Sequence, residues 1–258
     1  MTTLTHDIAD DELFDIRGKV VVVTGASSGI GLHLCTMLLR RGCRVVAASR
    51  SASQSPYLRA LGQEYGASVL PVDMDVGRAE AVTRAFDAIA DAFGHVDVLI
   101  NNAGTAGPKR AVDTSADDWT SVTNTNLTGP FLVSREALRL MPDGSSIIQI
   151  SSIGAFKAVV GLSAYAASKA GLLMLSRTLA LELAPRAIRV NTVAPGYVAT
   201  PMNDDFLSGP QGEQIREQIP LKRFAQPSDL DGIIVFLASS ASSYVTGSCH
   251  VVDGGYLA

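Results

Sequence analysis

The chain has 258 residues, 47% of them hydrophobic and 18% charged, a balance ordinary for one globular α/β domain with a sizeable core. Its net charge of -4 comes without a basic tract or aromatic–basic alternation, which speaks against nucleic acid as a partner. No apolar run reaches the about 18 residues a membrane helix needs, and the N-terminus is polar and acidic. Cys35, Cys43 and Cys249 and four scattered histidines lack metal-ligand spacing, so no membrane, no metal and a reducing, cytoplasmic location are expected.

Residues 1–12 carry no periodicity and are expected to be a mobile extension ahead of a single domain over 13–258. Val20 to Thr24 is a β-branched run that reads as a strand buried on both faces. Gly25, Ala26, Ser27, Ser28, Gly29, Ile30 and Gly31 follow at once and lead into a helix over 32–41. A strand, a glycine turn and a helix are the arrangement in which backbone N–H groups and the helix dipole hold a phosphate. The glycines stand at 25, 29 and 31, a spacing other than G-x-G-x-x-G. The same turn also satisfies G-x-S-x-G, the nucleophile elbow of serine hydrolases, with Ser27 as nucleophile and His95 or His250 downstream. That motif sits on the first strand, where no earlier strand–helix loop exists to form an oxyanion hole.

Arg44 to Arg50 reads as the second strand, and its end is expected to reach the adenosine ribose. The end is Ser49-Arg50, without a carboxylate, and a guanidinium pairs bidentately with a 2′-phosphate, so NADP(H) is favoured and NAD(H) remains open. A helix over 55–65 leads to a strand over 68–72 closed by Asp73-Met74-Asp75-Val76. Asp75 is placed to accept from the adenine amino group or to cap the helix over 78–93, and the two roles are compatible. Strand 96–100 ends in Asn101, Asn102, Ala103 and Gly104, small and amide residues that admit a flat ligand. A helical stretch over 119–140 holds Asn124 and Asn126 and is expected to break near Gly129-Pro130. Strand 146–151 delivers Ser152. Residues 162–183 read as a helix carrying Tyr165 and Lys169 on one face, a turn apart. An ammonium about 4 Å from a phenol favours the phenolate by roughly 4 kcal/mol at an effective dielectric of about 20, which predicts a Tyr165 that titrates near neutral pH. Strand 188–193 runs into Pro195, Gly196, Tyr197, Val198 and Thr200. Residues 201–219, with two prolines and two glycines, read as a loop-rich, mobile substrate lid. A helix over 229–238 and a strand over 249–252 close the chain. The alternation of strand and helix predicts an α/β fold: one Rossmann-type, doubly wound parallel sheet of about seven strands with helices on both faces.

From Gly18 to Gly255 these motifs resemble the classical short-chain dehydrogenase/reductase family: Thr24-Gly25-x-x-x-Gly29-x-Gly31, Asn101-Asn102-Ala103-Gly104, Tyr165-x-x-x-Lys169 and Pro195-Gly196. The resemblance selects Ser152 over Ser151, because the family's serine lies thirteen residues before the motif tyrosine, and Asn126 over Asn124. It implies hydride transfer between NADP(H) and a carbonyl or secondary alcohol, with Asn126, Ser152, Tyr165 and Lys169 as the catalytic set. Tyr165 would exchange the proton, Lys169 would lower its pKa and bind nicotinamide ribose, Ser152 would bond the substrate oxygen, and Asn126 would hold a water. The resemblance places Asp75 and Val76 at adenine and adds Ser49, Arg50, Asn102, Ala103, Gly104, Pro195, Gly196, Val198 and Thr200 to the cofactor site. Ser28 stands where many NADP-binding members carry a second basic residue. Family members are commonly tetramers or dimers, so a homo-oligomer is implied. Candidate substrate residues are Thr105 to Pro108, Ile153, Phe156, Val159, Val160, Tyr197, Met202 and Phe206. They are mostly apolar and suit a hydrophobic or amphipathic small-molecule ketone. The stretch 13–19 looks like gluconate-type polyol enzymes. Acyl-carrier-protein reductases carry basic residues where Pro142-Asp143 and Leu181 stand.

Overall fold

The computed structural model describes residues 12–201 and 203–258. The expected extension, apart from Glu12, and the candidate substrate residue Met202 lie outside the described residues. Seven strands form one sheet in the order β3-β2-β1-β4-β5-β6-β7, and every pairing is parallel. They are β1 (Val20–Thr24), β2 (Arg44–Ser49), β3 (Val69–Asp73), β4 (Val98–Asn101), β5 (Ser146–Ile150), β6 (Arg189–Pro195) and β7 (Cys249–Val252). The order reverses between β1 and β4, which opens a crevice at their carboxyl ends, the place where doubly wound sheets bind ligands.

Both sheet faces are covered, which is why the strands read as unbroken apolar runs instead of alternating ones. Val21 and Val23 point to one core with Leu34 and Leu38 of α1 (Gly29–Arg40) and Leu58 of α2 (Pro56–Tyr65). Val22 points to the other, with Phe86 and Ile89 of α3 (Ala79–Phe93). Helix α4 (Ala116–Thr123) opens on a capping box in which Ser115 and Asp118 satisfy each other's backbone N–H. It passes through a π-helical turn over Asn124–Thr128 into α5 (Gly129–Ala137). The expected break at Gly129-Pro130 is therefore displaced: Pro130 sits in the first turn of α5, where its missing N–H is not needed.

Helix α6 (Ser163–Leu183) is followed by α7 (Asp204–Leu207), α8 (Pro210–Gln218) and α9 (Asp231–Ala238). The loop expected over 201–219 is thus largely helical. Pro210 again opens its helix, and a Cβ on Gly212 would lie 2.0 Å from the Leu207 carbonyl oxygen, so Gly212 serves the close approach of α8 to α7. At the other end of the sheet Arg189 is buried, and among the described residues no carboxylate pairs with it. Its guanidinium donates to the carbonyls of Leu237 and Ser239, closing the C-terminus of α9.

Candidate active site

The turn between β1 and α1 is pressed against the end of β4. A Cβ on Gly25 (φ +67°) would lie 2.9 Å from the Ala103 Cα, and one on Gly31 would lie 2.2 Å from the Gly25 carbonyl oxygen. Thr24 Oγ1 accepts from the N–H groups of both Asn102 and Ala103 at 2.9 Å, and Asn102 Nδ2 donates back to the Thr24 carbonyl at 2.9 Å. Ser28 precedes the first turn of α1 but makes no capping bond, so the turn's N–H groups are left for an anion. Ile30 packs its side chain on the core. Thr200 closes over the turn, its Cγ2 3.6 Å from where a Gly29 Cβ would be, and is held by Asn203 Oδ1, which accepts from its N–H and hydroxyl. Pro195 ends β6, and Gly196 backs onto Asp253 so closely that a Cβ would lie 2.8 Å from that residue's Cα. Val198 is buried and bridges to Ala225.

At the end of β2, Ser49 is buried and its hydroxyl has no partner, while Arg50 is exposed and unpaired among the described residues. Asp73, in register with Ser49 on β3, accepts from the N–H and hydroxyl of Ser53 at 2.9 and 2.6 Å. Those bonds hold its carboxyl below the usual range. Asp75 does not cap α3, whose N-cap is Arg78; its Oδ1 accepts from Gly77 N–H at 3.1 Å. Val76 is buried against the start of α5. A tight glycine turn whose N–H groups are left for an anion fits the diphosphate of a dinucleotide.

Ser152, just beyond β5, accepts the Gly154 N–H at 3.0 Å. A Cβ on Gly154 would lie 3.2 Å from Tyr165 Cε1 and 3.4 Å from Ser152 Oγ, so the serine and the phenol share one cleft floored by Gly154. Burial raises the Tyr165 pKa above that of a free phenol, and a hydrogen bond with Ser152 acts against it. Lys169 is buried; loss of water lowers its pKa to about 8, and Nζ donates to the Ile150 carbonyl at 2.8 Å. Nζ lies 5.8 Å from the Tyr165 ring centroid. The phenol expected to titrate near neutrality is thus shifted the other way, because burial strips it of water.

Asn126, fully buried in the π-turn, accepts from Thr105 N–H at 2.9 Å and donates to the Thr105 carbonyl and Ser168 Oγ. Its side chain and the Lys169 ammonium flank Gly104, whose Cβ would lie 3.3 and 3.5 Å from them. Asn124 is engaged elsewhere, donating to the Gly77 carbonyl. Of the candidate substrate residues, Ile153 is core, whereas Phe156, Val159, Val160 and Phe206 are exposed. Tyr197 stacks edge-on against Tyr256. Gly154, Ser168 and Tyr256 carry no local signal in the sequence, whereas Thr24 opens the glycine motif. The elbow serine gains no triad: His95 pairs with Asp97 at the amino end of the sheet, opposite Ser27, and among the described residues Ser27 has no histidine partner.

A chain with this sheet and this cleft is a Rossmann-type oxidoreductase. It belongs to the short-chain dehydrogenase/reductase family, whose members act on alcohol and carbonyl groups. The family model described as enoyl-(acyl carrier protein) reductase matches residues 25–257. D-threitol dehydrogenase of Mycolicibacterium smegmatis is 37% identical over 98% of this chain and 98% of its own. NADP-dependent (R)-specific alcohol dehydrogenase of Lentilactobacillus kefiri is 36% identical over 94% of this chain and 98% of its own. The crystal structure of a short-chain type dehydrogenase/reductase from Mycobacterium marinum superposes with a TM-score of 0.87 at 34% identity, covering 95% of this chain and 98% of that one.

Proposed function

We propose that the protein is an NADP(H)-linked ketone reductase, reversible as a secondary-alcohol dehydrogenase, acting on a hydrophobic or amphipathic small molecule. The carrying observation is the cleft in which Ser152 and Tyr165 meet over Gly154 with Lys169 buried behind them. Ser152 Oγ accepts from Gly154, which leaves its own hydrogen to donate to the substrate oxygen and stabilise the charge developing there. Tyr165 is protonated at neutral pH, since burial raises its pKa, and gives its proton to that oxygen as the carbonyl is reduced. A bound nicotinamide supplies the hydride in reduction and accepts it in oxidation. The Lys169 ammonium favours the phenolate that proton donation leaves behind, and Asn126 holds the loop at Thr105 against α6. Gly25, Gly29 and Gly31 hold the diphosphate, Ser49 and Arg50 the 2′-phosphate, and Asp75 and Val76 flank the adenine.

Two tests follow from these assignments. Arg50→Asp is expected to lower the NADPH:NADH ratio of kcat/KM by about a hundredfold, because it replaces a charge-assisted contact with repulsion. An unchanged ratio would place the 2′-phosphate elsewhere. The second test is the pH profile. Lys169, with a pKa of about 8, is cationic at neutral pH and loses its charge above that value. Reduction is therefore expected to hold through neutral pH and fall above about 8, and a profile flat to about pH 10 would remove the ammonium from this role. Stability of the cofactor-free protein should move in the opposite sense. The cost of burying the cation is present in full below about 8 and fades as pH rises toward the unfolded lysine's value near 10.4.

A polyol substrate is a second reading, supported by the similarity to D-threitol dehydrogenase.

A further inference from the structure

Three segments far apart in sequence converge beyond the carboxyl ends of β5, β6 and β7. Lys157 lies on the segment leaving Ser152, whose backbone is wound tightly by Ala155 N–H to Ser152 O and Lys157 N–H to Ile153 O, both 3.0 Å. Tyr197 follows Pro195-Gly196 at the end of β6, the strand paired with β5. Tyr256 lies in the turn after β7, and the Asp253 carboxylate fixes that turn by accepting the N–H groups of Gly255 and Leu257 at 2.8 Å. The Tyr256 ring stands edge-on to Tyr197, centroids 5.4 Å apart at 89°, and Lys157 Nζ sits 3.9 Å from the Tyr256 centroid.

Among the described residues no carboxylate lies within ion-pair distance of Lys157, and its one close partner is an aromatic face. Other cations near the site are committed: Lys109 to Asp118 at 2.7 Å, and Arg223, which lines the 170 Å³ cavity beside Tyr197, to Asp229 at 2.6 and 2.8 Å. The phenols of Tyr197 and Tyr256 bond each other, and burial together with Tyr256 pushes the Tyr197 pKa up to about 12. Tyr197 therefore keeps its proton at physiological pH, and the bonded phenol pair has one O–H left to donate. An ammonium pinned over a ring, beside a phenol pair with one O–H to offer, forms an anion-binding arrangement that a neutral ketone would leave unused.

We propose that Lys157, Tyr197 and Tyr256 bind a carboxylate carried on the far end of the carbonyl substrate, which makes the substrates oxo acids and the corresponding hydroxy acids. This rests on the ketone-reductase reading and deepens it. The amphipathic character expected of the substrate then has a place for each end, with Ser152 and Tyr165 at the carbonyl and Lys157 at the acid.

The test measures kcat/KM with NADPH for oxo acids of increasing chain length, each beside its methyl ester. For the best chain length the acid is expected to exceed its ester by about tenfold or more. That ratio should collapse in Lys157→Gln, recover in Lys157→Arg and fall partway in Tyr256→Phe. Esters used as well as acids, or a ratio untouched by Lys157→Gln, would overturn the carboxylate site while leaving the reductase reading intact. No nucleotide-dependent turnover of acid or ester would overturn both.

Discussion

Tyr165→Phe is expected to lower kcat for carbonyl reduction by about a thousandfold, the scale of losing a positioned general acid, while NADPH binds with nearly unchanged affinity. The phenol oxygen is the group placed to protonate the substrate, whereas the ring packs on Gly154, a contact that phenylalanine keeps. Nucleotide titration and single-turnover kinetics on the same variant separate the two effects. Turnover at a tenth of the native rate or better would take the proton-donor role from Tyr165. Folding is not at stake, since the substitution removes one hydroxyl whose partner is Ser152.

Gly31→Ala is expected to act at the other end of the cleft. The added Cβ would lie 2.2 Å from the Gly25 carbonyl oxygen and 2.6 Å from Asn102 Nδ2. The first of these is backbone, so neither side-chain rotation nor a small shift relieves the clash, and α1 must back away from β1 and β4. Overpacking of this kind costs about 1–3 kcal/mol. The same displacement spreads the turn that holds the diphosphate, so NADPH affinity should fall by more than about tenfold. Denaturant melts with and without NADPH check both parts. A variant with native stability and affinity would show that the turn is looser than its packing implies.

Much of the fold was legible because doubly wound sheets write themselves as β-branched runs alternating with helices, and all seven strands and the long helices fall close to where the sequence put them. What escaped depended on contacts between distant residues. Pro210 and Gly212 look like helix breakers until Leu207 is seen against Gly212, where the absent Cβ permits contact. Nothing local marks the π-turn that carries Asn126 inward.

The active site shows the same division. The spacing of Tyr165 and Lys169 placed both on one face of α6, but the electrostatics inferred from spacing alone had the wrong sign. The ammonium is drawn to the Ile150 carbonyl and the phenol is stripped of water by its surroundings, neither of which is written within residues 162–183. Tyr256 had no motif to announce it; it matters because β7 brings the chain's end back to the loops after β5 and β6.

The most direct test of the account is consumption of NADPH, and in parallel NADH, followed by loss of reduced-nicotinamide absorbance with oxo acids, their esters, aryl ketones and keto-sugars. The account predicts carbonyl-dependent oxidation that is faster with NADPH and is lost in Tyr165→Phe. Nucleotide oxidation that ignores the carbonyl, or ester cleavage without nucleotide that disappears in Ser27→Ala, would contradict it.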